Sequence, residues 1–151
     1  MSALNTLLQH VEGERDQAQA ALRRAEEQAR RVRTQAEQLQ QYRADYQKRW
    51  TGEFSRQGTM DIVQCYQSFM QRLDEALLQQ TQQAEAAEAM VQRLRQVLLA
   101  AETRVASVRK LMQRRQAEQR LAHDRRDQRQ TDETAQQILW QAKQQTEPAQ
   151  H

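Results

Sequence analysis

Stepping by seven residues from Leu4 meets Leu4, Val11, Ala18, Ala25, Val32, Leu39 and Tyr46, an apolar or aromatic side chain at every step. The companion series four residues on is Leu8, Arg15, Leu22, Ala29, Ala36, Arg43 and Trp50, and it is mostly apolar too. Sustained heptads of this kind draw one stripe along a long helix and specify a left-handed coiled-coil seam. The spacing predicts a first helix over about residues 3–50.

Glycine then interrupts the chain at Gly52 and Gly58, within Trp50-Thr51-Gly52-Glu53-Phe54-Ser55-Arg56-Gln57-Gly58-Thr59. That segment predicts a turn over about 51–59. Thr59 is the expected N-cap of a second helix, and Asp61 in its first turn suits the positive end of the helix dipole. A second stripe follows: Ile62, Tyr66, Phe69, Leu73, Ala76, Leu77, Ala87, Met90, Leu94, Val97, Ala101, Val108 and Leu111, interrupted at Gln80 and Gln83. This helix is expected over about 60–145, with Pro148 as its stop. A short turn makes the two helices antiparallel neighbours. The fold class is therefore all-α: one antiparallel two-helix coiled-coil hairpin over residues 1–151 with a longer C-terminal helix. With the turn centred near Ser55, the numbers of paired residues should sum to roughly 110. Ala18, Ala21, Ala25 and Ala29 would then face the run of Ala84, Ala86, Ala87 and Ala89, small residue against small residue.

Composition excludes an ordinary globular domain. Of 151 residues, 38% are hydrophobic and 5% aromatic, too few to bury a compact core. Helix formers dominate where a disordered chain would carry Pro, Gly and Ser, so long helices are the expectation. Formal net charge is +3 and the sequence pI about 9.4. Cys65 stands alone, which rules out an intrachain disulfide and fits a reducing compartment. The opening residues do not read as a signal peptide, and the apolar run Val97–Ala101 is too short to span a bilayer. A cytoplasmic protein is expected, with no direct membrane insertion.

Catalysis needs converging groups, and a helix pair offers no enclosed pocket for them. No enzyme, no cofactor and no metal site is expected: His10, His123 and His151 are far apart, and His123 with Asp127 supplies too few ligands. From about residue 108 the second helix should outrun the first, leaving a polar overhang. That overhang carries Arg114, Arg115, Arg120, Arg125, Arg126 and Arg129, interleaved with Glu118, Asp124 and Asp127. Its acids offset much of the charge and no aromatic interleaves for stacking, so a protein-docking surface and a solvated charged face are both open readings there, and nucleic acid is not expected. Tyr42, Tyr46, Phe69 and Leu73 gather beside the turn, where bulk for the seam and a docking surface are both open readings.

Three segments resemble the FliJ proteins of the bacterial flagellar export apparatus. Gln38-Leu39-Gln40-Gln41-Tyr42-Arg43-Ala44-Asp45-Tyr46 is similar to a Q-L-x-x-L/Y-x-x-Y pattern of that family. Tyr66-Gln67-Ser68-Phe69, continuing through Leu73, Ala76 and Leu77 to Gln80, is similar to its Y-Q-x-F-x-x-x-L-x-x-A-I-x-x-Q/H block. Arg126 to Ala135 is similar to its R-x-E-Q-K-x-x-D-E-x-A signature, with Asp127 for Glu and Arg129 for Lys.

The resemblance implies a component of the flagellar type III export machine, a coiled coil resembling the central stalk of rotary ATPases. It implies docking into a hexameric export ATPase (FliI-like), promotion of that ring's assembly and activity, contact with the export gate protein (FlhA-like), and a link to export chaperones. It further implies a cytoplasmic location, peripherally associated with the inner-membrane export apparatus. The family's gate-binding patch maps onto Gln35, Leu39, Tyr42, Tyr46, Phe69, Leu73, Ala76 and Gln80. ATPase docking is expected of the overhang, with Asp132 and Glu133 beside its six arginines. A generic coiled-coil spacer or adaptor, or the equivalent stalk of a virulence-type secretion system, is the alternative.

Overall fold

The computed structural model describes residues 2–54 and 58–146. Helix α1 is Ser2–Arg49, 48 residues long; it runs on into a π-helical turn, Trp50–Phe54, and helix α2 is Met60–Thr146, 87 residues. The two long helices pack against each other and the described residues contain no strand, so the fold is the all-α helical hairpin expected. The turn centre at Ser55 and the stop at Pro148 lie outside the described residues. Two compact units are distinguishable, residues 9–105 and residues 1–8 with 106–151.

In the 9–105 unit the heptad stripes become the seam. Val11, Ala18, Ala29 and Val32 of α1 are buried against Met70, Leu73, Val91, Ala101 and Val105 of α2. Val91 and Ala101 are the most enclosed, at 2% and 1% exposure. None of the described residues that is buried is polar or charged. Ion pairs cross the seam at its edges: Glu14 with Arg104 (3.5 Å), Glu26 with Arg95 (3.9 Å), Arg33 with Glu88 (3.5 Å) and Arg43 with Asp74 (2.5 Å). Rising numbers on α1 meet falling numbers on α2, so the pair is antiparallel.

These pairs correct the expected register. A sum near 110 would set Arg43 opposite Gln67 and Arg33 opposite Leu77, whereas they meet Asp74 and Glu88. The seam is thus displaced by two to three helical turns along α2. Ala29 shares a groove with Val91, and Ala18, Ala21, Ala25 and Ala29 do not face Ala84–Ala89. Helical backbone persists beyond Arg49 through Trp50–Phe54.

The glycines mark the reversal differently from a tight turn. No described glycine has a positive φ, and nothing lies within 4 Å of a Cβ built on Gly13 or Gly52. Gly52 and Gly58 act by weakening helix propensity, not by supplying a left-handed backbone. The carbonyl of Thr59 accepts from the Val63 N–H at 3.1 Å, the first α2 bond, which puts Thr59 at the N-cap position and Asp61 in the first turn.

In the other unit Leu4 is buried and Val108 and Met112 are half-buried. From Gln113 to Thr146 every residue is exposed. That stretch is about 50 Å of continuous α-helix at 1.5 Å per residue.

Candidate partner-docking surfaces

The first surface belongs to the 9–105 unit. Tyr42, Tyr46 and Trp50 recur every four residues on α1, and Tyr66 and Phe69 lie three apart on α2, spacings that put each set on one helix face. Tyr66 stacks on both Tyr46 (centroids 5.8 Å apart, 15° between planes) and Trp50 (4.1 Å, 11°). Phe69 tilts against Tyr46 at 4.5 Å and meets Tyr42 edge-on at 6.5 Å. Five rings thus form one connected cluster bridging the helices. Tyr42 remains 51% exposed, while Tyr46, Trp50, Tyr66 and Phe69 are half-buried. Beside the stack, Tyr46, Trp50, Asp61, Ile62, Cys65 and Tyr66 line a cleft of about 260 Å³.

Of the sequence-derived patch, the ring contacts bring Tyr42, Tyr46 and Phe69 together directly. The Arg43–Asp74 pair lies among these residues, and the register it shares with the Arg33–Glu88 pair sets Leu39–Tyr46 alongside Phe69–Gln80, while Gln35 lies farther along the seam, opposite residues beyond Gln80. Gln35 is exposed, Leu39 and Ala76 are half-buried, and Leu73 is a buried seam residue beneath the surface. Gln80 is half-buried, and its Oε1 is shielded without a hydrogen-bond partner. The Arg43 guanidinium donates to Asp74, and that hydrogen bond pushes it further above its usual range. Sequence reading left Trp50 and Tyr66 out of the patch; the signal was their place in the two heptad stripes, each one step beyond a residue already chosen.

The second surface is the uncovered part of α2. Arg114, Arg115, Arg120, Arg125, Arg126 and Arg129 are all exposed, as are Asp132 and Glu133. Among the described residues none of those six arginines makes an ion pair. Of the acids between them, Asp127 lies 3.4 Å from His123; beyond Arg129, Asp132 accepts from Gln128 at 3.4 Å. The six guanidinium groups thus stand with their donors unused by acids of this helix.

Among the described residues no cluster of His, Cys, Asp and Glu could hold a metal ion, and no helix is long and apolar enough to cross a membrane. Neither curated proteins nor solved structures give a match to this chain. The family model described as Flagellar FliJ protein matches residues 1–144, nearly the whole length and both candidate surfaces. The chain belongs to the FliJ family, whose members are components of the flagellar export apparatus.

Proposed function

We propose that this protein is a stalk that docks into the hexameric flagellar export ATPase through the uncovered part of α2 and promotes the ring's assembly and activity. The observation that carries this reading is the set of six unpaired arginines on one exposed helix. Free guanidinium groups on a rigid support suit a carboxylate-lined partner, because Arg binds carboxylates through two parallel hydrogen bonds. An isolated helix of this polarity is weakly held by itself, so a partner that covers it also stabilises it.

The aromatic surface of the 9–105 unit is the second contact, with the export gate protein. Tyr42, Tyr46 and Phe69 supply the large, partly exposed rings typical of interface hot spots. Leu73 holds them from below, and Gln35, Leu39, Ala76 and Gln80 extend the surface along both helices. Export chaperones would be the third class of partner, and the protein acts at the cytoplasmic face of the export apparatus as a peripheral subunit. No group on either surface is arranged for catalysis.

The test is ATP hydrolysis by the cognate export ATPase, titrated with the full chain at low and high salt. Stimulation that weakens with salt is expected of docking through arginines. Reversal of Arg114, Arg115 and Arg120 to Glu should abolish it while leaving helicity intact. Normal stimulation by that variant overturns the ATPase contact. For the gate contact, Phe69→Ala with Leu73→Ala should lose gate binding, and unchanged binding by a helical variant overturns it.

A further inference from the structure

One face of α2 near its start belongs neither to the seam nor to the uncovered stretch. Asp61, Cys65, Ser68 and Arg72 follow one another at spacings of four, three and four, so they share a single helix face, and all four are exposed. With Gln64 and Phe69 they line an open groove, which joins the aromatic cleft of Tyr46, Trp50, Ile62 and Tyr66 at Asp61 and Cys65. Asp61 stands at one end of this groove and Arg72 at the other, about 16 Å away at 1.5 Å per residue. Neither makes an ion pair or a hydrogen bond among the described residues.

The order of the charges decides what fits. The cleft beside Asp61 is about 260 Å³, walled mostly by rings, with one carboxylate in its lining. That is smaller than the roughly 300–1,000 Å³ of small-molecule pockets and suits one side chain. A long cation matches it, its aliphatic stem lying on Ile62 and the rings while its head reaches the carboxylate. The far end of the groove, at Arg72, calls for an acid. A base and an acid held about 16 Å apart on one exposed helix face are what the groove itself presents. Turned end for end, a second α2 brings its Arg72 to Asp61 and its Asp61 to Arg72, so one two-fold operation satisfies both ends. Cys65 then meets Ser68 of the second copy, and those small side chains let the two helices approach closely. A parallel arrangement would set Asp61 on Asp61 and Arg72 on Arg72, which like-charge repulsion disfavours.

We propose that this groove is a self-association surface, in which two copies pair antiparallel along residues 61–72 of α2 and each places its Arg72 in the other's aromatic cleft. Three turns of helix and two exposed ion pairs are far less than a permanent dimer buries, so the pairing is weak, reversible and loosened by salt. It covers Tyr46 and Phe69, so a chain paired in this way has part of its aromatic surface closed to other partners.

The test is sedimentation equilibrium of the full chain, up to millimolar concentration and at low and high salt, with helicity checked by far-UV circular dichroism. Wild-type protein should show a monomer–dimer equilibrium that shifts toward monomer as salt rises. Asp61→Arg and Arg72→Glu should each weaken it about tenfold, because the two-fold axis makes every substitution count twice. The double variant, Asp61→Arg with Arg72→Glu, should regain wild-type dimerisation, and the two single variants mixed in equal amounts should pair with each other. Wild-type protein that stays monomeric throughout overturns the proposal. So do single variants that dimerise normally, and so does a helical double variant that remains as weak as the single ones.

Discussion

Tyr66 is the residue whose removal should loosen the 9–105 unit most for the atoms lost. It stacks on Tyr46 and Trp50 at once and is half-buried in doing so. Each aromatic pair contributes about 0.5–1.5 kcal/mol beyond its buried area. Half of a fully buried aromatic's transfer energy adds roughly 1–1.5 kcal/mol. Tyr66→Ala should therefore cost about 2–4 kcal/mol, and Tyr66→Leu, which keeps most of the apolar area, about 1–2 kcal/mol. A chain with two compact units need not unfold in one step, so the assay is native-state hydrogen exchange read at amides near Tyr46 and Tyr66. Protection there should fall by the stated free energies while protection around Val91 changes less. A cost below about 1 kcal/mol for Tyr66→Ala would refute the reasoning, because the stack would then add nothing to surface burial.

Further outcomes follow from the seam and the helices. Val91→Ala should destabilise the 9–105 unit by about 1–3 kcal/mol, and Ala101→Leu by a similar amount through overpacking, both read as reduced midpoints in denaturant. Gly13→Ala should stabilise α1 by about 0.5–1 kcal/mol, since an added Cβ meets nothing within 4 Å; an unchanged melting temperature would contradict this. Arg43 titrates above its usual range because it donates to Asp74, so its contribution is complete below that range and lost only as pH rises past the raised value. Stability measured between pH 6 and pH 10 (about the range accessible without alkaline damage) should show no step assignable to Arg43, and Arg43→Met should remove no pH dependence there.

The helices and their reversal were legible because period and punctuation are local properties. Heptads from Leu4 to Tyr46 and the gap between Gly52 and Gly58 needed no tertiary information. Register was not legible, for two physical reasons. The alanines at 18, 21, 25 and 29 fit Ala84–Ala89 and Val91–Ala101 almost equally well by size, so small-residue matching does not choose between them. The charged edge residues do not choose either, because Arg and Glu recur along both helices and many offsets bring opposite charges together. Trp50 and Tyr66 were visible as stripe residues, but only the register joins them to the aromatic cluster.

The seam has one further property, seen by asking what would stop the two helices from sliding. Its fully buried side chains are all apolar among the described residues, and the shielded Oε1 of Gln80, which has no hydrogen-bond partner, makes no polar pairing that would name a position. A polar residue in a coiled-coil core ordinarily fixes register, at some cost in stability. Without one, a slip of seven residues exchanges like for like along most of the length, and the edge ion pairs re-form only loosely. The stack of Tyr66 on Tyr46 and Trp50 has no equivalent one heptad away, so it acts as a pawl on an otherwise smooth ratchet. Axial load on this helix pair is resisted by chain connectivity at the reversal and by three rings next to it.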